Sequence, residues 1–148
     1  MTTNTTSSQE QEISQEDERI KALSINQDMD LDDAAQAIEN NDYLVLTDEE
    51  ATERATEEIE QSLWAFNKSF LDGHSEAISE IPDKDFEAMQ CNLCESFNKA
   101  VRAMIDDFEH FVEDAISCDG RGHFISHYDG EENEEKINQT YYYIYRLN

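Results

Sequence analysis

Between Asp83 and Ser117 apolar residues return every three or four positions: Phe86, Met89, Leu93, Phe97, Val101, Met104, Ile105, Phe108, Phe111, Val112 and Ala115. That period predicts one long amphipathic helix, which if unbroken runs about 50 Å at about 1.5 Å per residue. A stripe of that length needs a covering element, and the segment before it offers one. Thr47, Asp48, Glu49 and Glu50 read as a capping box, and Ala51, Ala55, Ile59, Leu63, Phe66 and Phe70 continue an apolar stripe to a stop at Asp72 and Gly73. Two antiparallel helices, the second opened by Pro82, are expected to bury Trp64, Phe66, Phe70, Phe86, Phe97 and Phe108 between them.

Upstream, Leu31, Ala34, Ala35 and Ile38 have helical spacing, and Tyr43 to Leu46 is a brief apolar run, a short strand or a packed linker. Downstream, Cys118 to Gly122 breaks the helical pattern. His123 to Tyr128 alternates and ends at Asp129 and Gly130, which reads as a strand and tight turn; Glu131 to Ile137 is a polar middle strand or loop. Thr140 to Arg146 (TYYYIYR) is the most strand-like run of the chain. The expected fold class is α+β: two or three helices, one of them long, followed by a small C-terminal antiparallel sheet. Residues 1–24 contain little to bury and read as a disordered polar tail, leaving residues 25–148 as a single domain.

Charge changes this picture from a generic scaffold to a specific surface. Ten Lys and Arg stand against 36 Asp and Glu, a formal net charge of -26 and a pI near 4.1. Such a chain repels nucleic acid and anionic membrane and suits basic protein surfaces. B-DNA carries about one charge per 1.7 Å, so a body about 50 Å long meets about thirty phosphates, comparable with the net charge. Three cysteines, an odd number with no apolar leader before them, fit a reducing cytoplasm, and no apolar run approaches membrane-spanning length.

Candidate chemistry is sparse. Cys91 and Cys94, with Cys118 and His123 or His127, offer thiolates and imidazoles of the kind zinc prefers, but the pair lies inside a helical pattern rather than a knuckle. Asp106, His110 and Asp114 recur at four-residue steps, with Asp107 three before the histidine, yet the second half-site of a dimetal bundle is missing. There is no G-x-S-x-G elbow, phosphate loop or G-x-G-x-x-G. The expectation is a non-enzyme with no cofactor and no metal.

Gly120, Arg121, Gly122 and His123 through Tyr128, Asp129, Gly130, Glu131 and Glu132, with Tyr142 to Arg146 closing the chain, resemble the C-terminal end of small acidic proteins encoded by phages and prophages. The resemblance covers about a fifth of the sequence and implies a mobile-element setting, in which some small acidic proteins are DNA mimics that block restriction or CRISPR effectors. It assigns a role to no residue here. The functional expectation is therefore an inhibitor that occupies a basic nucleic-acid groove of a host protein in the host cytoplasm. Asp48, Glu49, Glu53, Glu57, Glu60, Asp106, Asp107, Glu109, Glu113 and Asp114 are the candidate carboxylates, and Tyr143 and Tyr145 the candidate apolar anchors. The alternative is a phage accessory protein that oligomerises, as a homodimer for instance, through its Tyr-rich sheet, with acidity serving solubility.

Overall fold

The structure, a computed structural model, describes the backbone of residues 3–148 and the side chains of residues 15–148. In chain order the elements are α1 (Thr3–Gln27), α2 (Leu31–Glu39), β1 (Tyr43–Leu46), α3 (Asp48–Gln61), α4 (Lys68–Asp72), α5 (Glu76–Ser79), α6 (Asp83–Leu93), α7 (Asn98–Met104), α8 (Phe108–Asp119), α9 (Arg121–Ile125), β2 (Asn133–Ile137) and β3 (Thr140–Arg146), with 3-10 turns at Leu63–Ala65 and Cys94–Phe97. The elements are mostly helices, with one small antiparallel sheet, so the α+β class holds with more helices than expected. The chain divides into two compact units, residues 1–53 with 121–148 and residues 54–120.

The first unit is built on a three-stranded sheet of order β1-β3-β2. Its central strand β3 is the predicted TYYYIYR run. One edge is β1, drawn from far upstream, with Val45 opposite Ile144 and Leu46 opposite Tyr143. The other is β2, joined to β3 by a hairpin in which Asn138 takes a φ of 57°, a conformation Asn tolerates better than most residues. Tyr43, Val45, Ile137, Tyr142 and Ile144 bury one face against Ala22 and Leu23 of α1 and Ala34 of α2. The expected disorder is thus corrected for residues 15–24, which are helical and supply core side chains; for residues 1–14 it lies outside the described side chains. Arg19 ties α1 down, donating to the Val45 carbonyl oxygen at 2.8 Å and to Glu50 Oε1 at 2.8 Å.

Glu50 also closes the predicted capping box. Its Oε1 accepts from the Thr47 N–H at 2.9 Å while Thr47 Oγ1 accepts from the Glu50 N–H at 3.4 Å. The hydrogen bond from Arg19 holds the Glu50 carboxyl below its usual range. The alternating run at His123 is not a strand. His123–Ile125 enter α9 and the rest of the run lies in the turn that follows, and Asp129 and Gly130 lead into β2 rather than between paired strands.

Two tyrosines of β3 are fully buried, and their hydroxyls donate to carboxylates: Tyr142 to Glu18 Oε1 at 2.8 Å, and Tyr145 to Glu132 Oε1. Burial, reinforced by the acceptor carboxylate, pushes the Tyr142 hydroxyl up to about 12 and that of Tyr145 upward as well. The unfolded chain releases these protons near pH 10, whereas the folded one retains them, so stability present below about pH 10 declines as the pH rises from about 10 towards 12. Tyrosinate absorbance followed beside circular dichroism checks this. Ionisation of Tyr142 and Tyr145 is expected only as the helical signal collapses; full tyrosine ionisation in a chain that keeps its helices would contradict the assignment.

In the second unit the long predicted helix is broken twice. α6 ends at Cys94, whose φ of 49° leaves the helical region, and α7 ends at Ile105, whose extended backbone leads to Asp107 as the N-cap of α8. Asp107 Oδ1 accepts from the His110 N–H at 3.2 Å. Much of the apolar period survives these breaks, for Phe86, Phe97, Val101, Ile105, Phe111, Val112 and Ala115 are buried as the spacing predicts, whereas Leu93, at the first break, is 46% exposed. The helix expected to run from Thr47 to Gly73 also breaks, after Gln61. Two amide side chains satisfy the freed backbone groups: Gln90 Nε2 donates to the carbonyls of Trp64 at 2.9 Å and Phe66 at 2.8 Å, and Asn98 donates to the Gln61 carbonyl at 2.6 Å and accepts from the Trp64 N–H at 2.9 Å. Phe66 and Phe70 pack on Phe111 with ring centroids 5.1 and 5.4 Å away, while Phe86 meets Phe97 at 5.3 Å. Among the described residues no helix is long and apolar enough to cross a membrane.

Candidate functional site

The capping box and the buried Ala51, Ala55 and Ile59 fix which side of α3 meets solvent. On the solvent side lie Glu49, Glu53, Glu57 and Glu60, all exposed and at steps of four, four and three residues. Their spacing places a carboxylate at nearly every turn along about 16 Å of one helix. Among the described residues no ion pair engages these four. Asp48 differs: Arg121 Nη1 donates to its Oδ1 at 2.8 Å and to its carbonyl oxygen at 3.0 Å, so its charge is met internally.

The second predicted carboxylate set divides in the same way. Glu109 and Glu113 are exposed and one turn apart on α8. Asp106 Oδ2 accepts from the Glu76 N–H at 3.3 Å, Asp107 caps α8, and Asp114 pairs with His74 Nε2 at 2.7 Å. These three hold the fold. His74 also packs against His110 and Phe111, with ring centroids 5.3 and 5.1 Å apart, so the imidazole that Asp114 meets is His74 rather than the expected His110.

The predicted tyrosine anchors move inward. Tyr145 is fully buried and belongs to the core, which corrects its assignment to a partner surface. Tyr143 is half-buried beneath Arg121, whose guanidinium carbon sits 4.6 Å from the ring centroid. The tyrosines that do reach solvent are Tyr128 and Tyr141, 59% and 46% exposed.

Arg121 is the residue that pattern reading missed. Its side chain, 11% exposed, donates from Nε to Glu132 Oε1 at 2.9 Å and from Nη1 to Asp48 and to Thr52 Oγ1, the last at 3.2 Å. Burial by itself lowers the Arg121 pKa, but the hydrogen bonds to the Glu132 and Asp48 carboxylates outweigh it, so the already high pKa is raised and the side chain is a permanent cation. The neighbouring residues of this C-terminal segment are also turned on one another. Ser126 Oγ donates to the Glu131 carbonyl, and Arg146 stacks over Tyr128 with its guanidinium carbon 3.8 Å from the ring centroid. The only signal in the sequence was the isolated basic residue itself, standing between two glycines in an acidic chain.

Cys91, Cys94 and Cys118 are free and exposed, and among the described residues no group of three or more His, Cys, Asp or Glu side chains is placed to hold a metal ion. No protein-family model matches this chain, and comparisons with curated proteins and with solved structures return no match.

Proposed function

We propose that this protein is a non-enzymatic binding protein of phage or mobile-element origin that occupies a basic nucleic-acid groove of a host defence protein, a restriction or CRISPR effector. The observation that carries this reading is the row Glu49, Glu53, Glu57 and Glu60 on the solvent face of α3. One strand of B-DNA presents about five phosphates over the same 16 Å and the duplex about ten, so four carboxylates correspond to one strand of phosphates. The helix expected from Asp83 to Ser117 is divided into α6, α7 and α8, so its carboxylates do not follow one continuous helix axis of about 50 Å. The mechanism is competition: Lys and Arg that hold phosphates pair with the row, steered by the net charge of -26.

The test begins with capture of a partner from a bacterial lysate through tagged protein, washed over a salt series. The captured protein is expected to bind nucleic acid and to release the tagged chain as salt or competing DNA rises. The combined change Glu49→Gln, Glu53→Gln, Glu57→Gln and Glu60→Gln should then weaken the complex about 30-fold, at roughly 0.5 kcal/mol for each exposed pair. It should leave thermal stability close to that of the parent, since all four side chains are exposed. Affinity unchanged by the fourfold neutralisation, or a ternary complex with nucleic acid still bound, would refute the proposal.

A further inference from the structure

The second unit contains a groove of about 260 Å³ between the segment Trp64–Lys68 and one face of α6, lined there by Glu87, Gln90 and Cys91. Drug-sized ligands occupy pockets of about 300–1,000 Å³, so this volume suits one side chain rather than a cofactor. The walls are pre-formed. Gln90 holds the carbonyls of Trp64 and Phe66, and Asn98 holds the Trp64 N–H, so the indole is carried on backbone pinned at three points.

The chemistry of the lining selects a cation. Both donated bonds of Gln90 come from Nε2, which leaves its other polar atom, Oε1, as an acceptor. Glu87 is exposed at the groove and, among the described residues, in no ion pair. The one basic residue of the lining, Lys68, is buried and held by Asp72 and Asp83, each at 3.0 Å, so its charge is already met. What remains is an aromatic wall, a carboxylate and an amide oxygen. A planar guanidinium satisfies all three, since it stacks on indole and donates in its own plane.

We propose that this groove receives one arginine side chain of a basic partner surface, stacked on Trp64 and ion-paired with Glu87. The inference rests on the reading of the protein as a binder of basic grooves and gives that reading a directional anchor beside the diffuse charge of α3.

Trp64 is the single tryptophan of the chain, so its indole N–H resonance reports the groove directly. The full-length protein is titrated with arginine amide, and with citrulline amide as the uncharged isostere. Arginine amide is expected to shift the Trp64 indole and Gln90 amide resonances saturably and citrulline amide to leave them in place. Glu87→Gln should weaken the effect about twofold, on the scale of one exposed ion pair, while Glu57→Gln on α3 should not. Both are exposed positions, so loss of folding does not confound the comparison. Unsaturable shifts, or equal sensitivity to Glu87→Gln and Glu57→Gln, would overturn the arginine site. With a captured partner, loss of affinity on neutralising the α3 row but not on Glu87→Gln would refute the groove and leave the competitive reading standing; the converse would refute the row.

Discussion

Gly122→Ala is expected to destabilise the protein by about 3 kcal/mol, the upper part of the range for forcing an added methyl into packed structure. A β-carbon at this position would lie 2.6 Å from the Glu131 carbonyl carbon and 2.8 Å from both the Glu132 nitrogen and the Gly130 carbonyl oxygen. All three are backbone atoms, so no rotamer change relieves the contact. The segment is also fixed in place: Gly130 donates its N–H to the Ser126 carbonyl at 2.8 Å, and Ser126 Oγ grips the Glu131 carbonyl. The methyl therefore separates α9 from the start of β2. Thermal unfolding should shift down by roughly 10 °C for a chain of this size. Gly73→Ala is the control, since its β-carbon would meet only the Phe70 carbonyl oxygen, at an ordinary 3.6 Å. If Gly122→Ala melts with the parent and the Gly73 control, the close approach of the two backbones is wrong.

Arg121→Met is the second large effect, with an expected loss of about 2–3 kcal/mol. Methionine keeps much of the stem that packs near Tyr143 but removes the donors that Asp48, Thr52 and Glu132 share. The cost falls below the about 3–5 kcal/mol of a fully buried broken pair because Glu132, 30% exposed, can recover some water. Arg121→Lys should rescue only part of the loss, because one ammonium cannot span two carboxylates as the guanidinium fork does. Adding Glu132→Gln to Arg121→Met should cost less than the sum of the single changes, since the orphaned charge is then gone. Denaturant unfolding of the four proteins completes the cycle. Additive losses would mean that Arg121 and Glu132 do not act on each other.

The features that were legible in the sequence share a short range. The Thr47–Glu50 box was readable because its two hydrogen bonds join residues three apart. The exposed row of α3 was readable because a helix started by that box, with Ala51, Ala55 and Ile59 inward, leaves Glu49, Glu53, Glu57 and Glu60 no other side. The core positions from Phe86 to Ala115 followed from helical period even though the helix is divided, since each piece keeps the phase of its own apolar residues.

The breaks themselves were not legible. Each exposes backbone groups that must be satisfied, and around Trp64 their partners are Gln90 and Asn98, about thirty residues away and unremarkable as local pattern. Likewise α1 looked too polar to pack, because the sheet that covers Ala22 and Leu23 is assembled from segments that come later in the chain. For the candidate site the same limit applied: identical Asp and Glu residues became free charges or structural acceptors according to what stood opposite them, as Glu109 and Asp114 illustrate.

The sequence by itself determined the helix start at Thr47, the apolar phase of the second unit, the strand at Thr140–Arg146 and an acidic surface with few cations to offset it. Tertiary structure decided that β1 pairs with β3, that Tyr145 is core rather than surface, and that Arg121 gathers Asp48 and Glu132. The division has a physical cause. Capping, helical phase and β propensity act between residues within a few positions of one another, whereas strand pairing, burial and charge partnership depend on which distant segment closes against a given side chain.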